Sequence, residues 1–160
     1  MAKALPLFAV NTGGSLGENA PLMLHVRLEE LYHFAPYISD PDRVEELHNM
    51  RIAAKRLRYT REVFAVCFPA SAYNPIYGPI KEVQERIGDI HDCDVRVPLI
   101  EEFLAKHSHA RPEIRVGLEK LAANERARRE QLYRDFIRYW DGLASDNYRR
   151  KFLSFLASAE

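Results

Sequence analysis

The spacing of apolar residues restricts this chain most: they recur every three or four positions and scarcely ever alternate. Leu24, Leu28, Leu31 and Ala35 are separated by four, three and four positions, which places them on one face of a helix. Met50, Ala53, Leu57, Phe64 and Phe68 form a second such stripe, and Ile80, Val83, Ile87 and Ile90 a third, which Asp94 extends. Leu118, Leu121, Leu132, Phe136 and Tyr139 form a fourth. Long β-branched alternating runs are absent, and no Asn-Gly or Asp-Gly turn joins strand-like segments, so nothing in the chain reads as a sheet.

Prolines and capping residues set the expected boundaries. The first helix is predicted over about Glu18 to Phe34 and broken by Pro36 and the Ser39-Asp40-Pro41-Asp42 cluster. Asp40 or Asp42 can cap a second helix, predicted over Arg43 to Cys67 and stopped before Pro69. A third begins near Pro79 and should be kinked or split by Pro98 before Leu99–Lys106. A long fourth helix follows Pro112. A short closing helix follows Ser145-Asp146-Asn147, with Phe152, Phe155 and Leu156 facing inward. The expected fold is all-α, an up-and-down antiparallel helical bundle of four long helices plus a short C-terminal helix.

With 160 residues the chain is long enough for one real core. Residues 1–15, which contain Gly13 and Gly14, read as a flexible N-terminal arm and residues 16–160 as a single bundle. The first ten residues hold one Lys and a short apolar stretch without a small-residue cleavage site, so they do not read as a signal peptide. No apolar run approaches the roughly 20 residues that span a bilayer. Cys67 and Cys93 have neither CxxC nor zinc spacing, which predicts buried free thiols and a cytoplasmic location. No nucleophile–base pair, Gly-rich phosphate loop or cofactor fingerprint stands out. No catalytic residue, metal ligand or cofactor is therefore assigned.

Lys plus Arg and Asp plus Glu number 23 each, so any electrostatic function must come from how charges are segregated. One segment segregates them strongly. His48 to Arg61 reads HNMRIAAKRLRYTR, with five Lys or Arg and no acid. His48, Arg51, Lys55 and Arg58 are spaced three, four and three, so they line one face beside the apolar stripe. Like charges at those spacings repel by roughly a few tenths of a kcal/mol per pair. Such a row calls for carboxylates from a neighbouring helix, for which Asp89, Asp92 and Asp94 are available, or for an external anion. The fourth helix offers Arg115, Arg126, Arg129 and Tyr133 on a flank of its apolar stripe, with Arg128 and Lys120 beyond. There, however, Glu113, Glu119, Glu125 and Glu130 lie within helical reach. On the third helix Lys81, Gln84, Gly88 and His91 share a polar face.

Two of these stretches resemble a known family. The run from Leu47 to Arg58, with His48, Arg51, Lys55, Arg56 and Arg58, is similar to the signature of CHAD domains, the conserved histidine α-helical domains. That signature has a His, an Arg three residues on, and a closely following basic cluster. Ile87-Gly88-Asp89-Ile90-His91-Asp92-Cys93-Asp94-Val95 resembles the family's second segment, with His91 where the family usually has Arg. The tail, with Trp140 and Leu143 before a polar cap and a basic closing helix, is similar as well. The resemblance covers about residues 16 to 158.

The resemblance implies an all-helical bundle that binds inorganic polyphosphate without catalysis. It implies a site formed by His48, Arg51, Lys55, Arg56 and Arg58, supported by Lys81, His91 and the patch of Arg126 and Arg129. A full CHAD domain typically holds two pseudo-symmetric bundles, and this chain resembles a half-length member, which suggests a homodimer. The chemistry is consistent: Arg grips phosphate oxygens with a planar fork and Lys supplies a point charge. A row of cations rising about 5 Å per helical turn can track a flexible anionic chain. A His with a reference pKa near 6.5 would gain charge beside bound phosphate. Other readings of the same residues are a helical module docking an acidic protein and a metal-dependent phosphohydrolase using His48, His91, Asp92 and Asp94. Nucleic-acid binding is a weaker one: helix-turn-helix and zinc-finger motifs are absent, and no specific nucleic acid or membrane partner is expected.

Overall fold

The computed structural model describes residues 3–107, 109 and 111–158, and for residues 70–74 the backbone alone. It is all-helical, as the periodicity predicts: α1 spans Leu16–His33, α2 Val44–Val63, α3 Ala70–Lys106, α4 Pro112–Ser145 and α5 Tyr148–Ala157.

Each boundary has a local cause. Ser15 caps α1 by accepting from the Glu18 amide (3.2 Å), while Glu18 reaches back to the Ser15 amide (2.6 Å). Neither Asp40 nor Asp42, the two expected caps, caps α2: Asp40 instead accepts from the Asp42 amide at 3.0 Å and so closes the preceding turn. Arg43 occupies the cap position without a capping side-chain bond, and Glu45 and Glu46 place negative charge in the first turn.

The second helix was expected to reach Cys67. It ends at Val63 and tightens into a single 3₁₀ turn over Ala65–Cys67. The reason is Pro69. Its ring pushes Phe68 into extended backbone (φ −127°, ψ 145°), so the α-helical hydrogen-bond ladder must finish first.

The largest departure concerns α3. It starts directly after Pro69, well before Pro79, and runs without interruption for 37 residues through Pro75, Pro79 and Pro98. A proline removes one bond to the carbonyl four residues back. The helix nonetheless continues through all three, Pro75 and Pro98 at exposed positions and Pro79 at a half-buried one. Pro112 begins α4 at the position where a missing N–H costs nothing. Asn147 takes a left-handed conformation (φ 54°, ψ 38°) to reverse the chain into α5, a geometry Asn tolerates better than most residues.

Consecutive helices α1 to α4 pack side by side, and α5 closes the bundle against α1, α3 and α4. The core joins Leu24, Leu28 and Leu31 to Met50 and Leu57, to Ile80, Val83, Ile87 and Ile90, and to Phe136 and Phe152, all fully buried. Before α1, the chain lies along that helix: Asn11 donates to Asn19 at 2.8 Å, and the Leu5 amide meets the Glu30 carboxylate. Of the two thiols, Cys93 is buried and Cys67 half-buried; both are free.

Helix length then becomes important. At 1.5 Å per residue α3 and α4 extend about 55 and 50 Å, against about 27 and 30 Å for α1 and α2. The α3–α4 hairpin therefore projects beyond the bundle. The expected α4 stripe is accordingly buried only in its second half. Phe136 is inside, joined by Trp140 and Leu143, whereas Leu121 is 45% exposed. Among the described residues no helix is long and apolar enough to cross a membrane.

Candidate functional site

Antiparallel packing sets α2 against α3 in a register that can be followed along their seam. The His48 and His91 rings stack with centroids 4.7 Å apart and planes at 27°. One turn further along α2, Arg51 lies over Gly88, where an added Cβ would come 3.5 Å from Arg51 Nε. Arg58 Nη1 donates to Gln84 Oε1 at 3.3 Å, and at the far end Tyr77 donates to Glu62 Oε1 at 2.7 Å. Lys55 sits between Arg51 and Arg58 on the same face. The row flanks Leu47, Met50, Ala54 and Leu57, which are buried, so its members are half-buried rather than fully solvated.

The acids that might neutralise this row are mostly committed elsewhere. Asp94 Oδ1 holds Arg129 Nε at 2.5 Å, and Asp92 holds Arg96 at 3.4 Å. Asp89 lines a different cavity with Glu82, Glu85 and Asp135. Arg58 alone in the row has a carboxylate, Glu62 on the same helix at 2.9 Å. Among the described residues Arg51 and Lys55 form no ion pair within 4.0 Å. Three nitrogens along the seam, His48 Nδ1, Arg51 Nε and His91 Nδ1, are shielded from water and lack a hydrogen-bond partner. Buried polar atoms without partners are uncommon, and clusters of them call for an explanation.

Electrostatics agree with this geometry. Burial lowers the His48 pKa, the His91 ring and the Arg51 guanidinium lower it further, and Glu45 opposes them. At the other end the hydrogen bond from Tyr77 holds the Glu62 carboxyl below its ordinary range, with Arg58 adding to the effect.

The remaining predicted residues fall in other places. Arg56 points to the opposite flank of α2, into a cavity of about 250 Å³ lined also by Glu30, His33 and Asn49. Lys81 is on the groove's α3 side, in an exposed pair with Glu85 at 3.6 Å. Arg126 pairs with Glu101 across the α3–α4 seam, and Arg129 bonds to Pro41 O at 2.9 Å besides Asp94. The structure thus brings His48, Arg51, Lys55, Arg58 and His91 together and leaves Arg56, Arg126 and Arg129 apart. Sequence reasoning missed Glu62 and Tyr77. The four-residue step from Arg58 to Glu62 was a readable signal for the first; nothing local marks the second. For the metal reading, His48 and His91 meet, but Asp92 and Asp94 turn to arginines. Among the described residues no three His, Cys, Asp or Glu side chains converge as a metal shell.

Comparison with known proteins adds one positive finding. Nothing matches among curated proteins or solved structures. A family model described as the CHAD domain matches residues 2–101, which contain the whole of the α2–α3 seam. With the His48–Arg58 row and the Gly88–His91 segment facing each other inside the matched region, this chain belongs to the CHAD domain family.

Proposed function

We propose that the chain is a non-catalytic polyanion-binding module whose ligand is inorganic polyphosphate, held in the groove between α2 and α3. The observation that carries this reading is a half-buried row of cations, two of which (Arg51 and Lys55) have no carboxylate among the described residues. A cation so placed has lost part of its hydration without gaining a counter-charge. Phosphate oxygens supply that charge and accept the hydrogen bonds that Arg51 Nε lacks. Arg51 and Arg58 serve as forks, Lys55 as a point charge between them, and His48 and His91 as ring donors at one end. Lys81 extends the groove on its α3 side. Arg56 lies on the opposite flank of α2, and Arg126 and Arg129 are paired with Glu101 and Asp94, so these three add little to the groove. Membership of the CHAD family, associated with polyphosphate binding, supports the same ligand.

The test is a titration with long-chain polyphosphate at several ionic strengths, on the protein and on the Arg51→Ala, Lys55→Ala double variant. Counterion release makes log affinity fall linearly with log salt for nucleic acids, and the same slope is expected here. The double variant should bind at least about tenfold more weakly, about 1.4 kcal/mol, with helicity by circular dichroism retained. EDTA should change nothing, and no phosphate should be released. A response flat with salt, or loss of fold without a separable binding defect, would refute the reading.

The reading includes a homodimer. On the projecting α3–α4 hairpin, Leu99, Phe103, Ile114 and Leu121 are 43–57% exposed, an apolar set that a second copy of the same hairpin would cover.

A further inference from the structure

The groove's end contains a feature that a simple row of cations would not need. Two imidazoles stack at 4.7 Å, each with one nitrogen out of water and without a partner. We propose that anion binding in this groove is proton-linked, the stacked His48–His91 pair taking up protons as the anion arrives and releasing them as it leaves. The proposal rests on the polyanion reading of the groove and concerns how that site is regulated.

The pair's charged neighbours decide what an added proton meets. On α2 the charged groups beside it are Arg51, one turn away on the same face, and Glu45. On α3 they are Asp92 and Asp94, but Asp92 pairs with Arg96 and Asp94 with Arg129 of α4. Without a ligand, a proton added to either ring meets the other ring and the Arg51 guanidinium, and the new N–H finds no acceptor. Burial and these positive neighbours push the His48 pKa down, in agreement with the geometry. A phosphate oxyanion against the pair offsets the charge penalty by placing negative charge beside both rings. Protonation and anion binding therefore favour each other, and by linkage each must strengthen the other.

The sign is definite. If the bound state holds more protons than the free state, affinity rises as pH falls. The effect is up to about tenfold per pH unit for each proton taken up. Guanidinium and ammonium groups in general hold their charge between pH 6 and 8. Internal phosphates of a long polyphosphate are fully ionised there too, so the imidazoles are the groups in the groove free to change.

The experiment is titration with long-chain polyphosphate at pH 6, 7 and 8 and fixed ionic strength, on the protein and on the His48→Gln, His91→Gln double variant. The protein should lose at least about threefold in affinity per pH unit on going up, with net proton uptake seen by calorimetry in buffers of different ionisation enthalpy. The double variant should bind more weakly at pH 6 and vary little with pH. The α-amino group and the other histidines titrate in the same window but are common to both proteins. Tight binding by the protein that ignores pH overturns the proton linkage while leaving the polyanion reading intact. Equal pH dependence in protein and variant also overturns it. No binding by the protein at any pH removes the polyanion reading itself. Should the variant not fold, the histidine Cε1–H resonances of the unmodified protein decide: the midpoints of both rings rise with polyphosphate, or the proposal is wrong.

Discussion

Arg58 differs from Arg51 and Lys55 in carrying its own counter-ion. Glu62 accepts from Arg58 Nε at 2.9 Å and from the Tyr77 hydroxyl at 2.7 Å, so its carboxylate is fixed from two sides. The hydrogen bond to Glu62 raises the Arg58 pKa, and that from Tyr77 lowers the Glu62 pKa; each favours the charged form. An incoming phosphate must compete with Glu62 for this guanidinium. Partly exposed pairs of this kind contribute about 0.2–1 kcal/mol. Glu62→Gln should therefore tighten polyphosphate binding about two- to threefold, while slightly lowering the thermal midpoint of the free protein because the cationic row loses its one acid. Parallel titration and thermal unfolding would check this, and unchanged or weaker affinity would show that Glu62 does not compete. The Arg58–Glu62 step could be read along the chain. That Tyr77 locks Glu62 could not, because those residues are 15 positions apart and meet only when α3 folds back on α2.

At the scale of elements, α3 lacks a side chain where Arg51 of α2 lies over it. Gly88 is within α3, where Gly weakens a helix by about 1 kcal/mol relative to Ala. The Cβ of an alanine would stand 3.5 Å from Arg51 Nε, an ordinary van der Waals distance. Gly88→Ala should raise stability by about 0.5–1 kcal/mol and leave polyphosphate affinity within about twofold. Gly88→Leu should fold but bind at least about tenfold more weakly, since its branches occupy the space into which Arg51 reaches. Chemical denaturation and titration on the two variants test this, and a Leu variant that binds normally would remove the glycine from the site. The Gly itself is visible in sequence, but its reading as a spacer for Arg51 depends on the register of two helices. The fate of Pro98 shows the same division. Local rules predict a kink or a split there, and the split does not occur: α3 is continuous through Pro98, which packing leaves at an exposed position.

At the scale of the molecule, the mismatch between long and short helices leaves the distal hairpin without a covering layer. Leu99 and Phe103 on α3 are 57% and 43% exposed, and Ile114 and Leu121 on α4 are 49% and 45% exposed. Two hairpins meeting on this face would form a second four-helix layer, and two grooves in one particle would give a polyphosphate chain a second attachment at high effective concentration. Light scattering at micromolar protein should give the mass of a dimer, and Leu99→Glu with Phe103→Glu should give a folded monomer with weaker binding to long chains. A monomer mass for the unmodified protein, unchanged by polyphosphate, would end the dimer idea.

The apolar periodicity alone determined that this chain is helical, which faces of α1, α2 and α3 enter the core, and that α2 carries an unbalanced row of cations. These follow from side-chain order on a single helix, which a sequence fully specifies. Tertiary structure decided which cations remain unneutralised. Arg129 and Arg126 look as basic in the sequence as Arg51, yet Asp94 and Glu101 on α3 meet the former pair and, among the described residues, no acid pairs with the latter. That Arg56 and Lys55 lie about 100° apart follows from helix geometry, but that Arg56 then lines a cavity with Glu30, His33 and Asn49 was decided by packing. The stacking of His48 on His91 was equally a matter of packing. Charge pairing depends on distances of a few ångströms between helices, and those are set by how the cores interlock, not by the order of residues along either one.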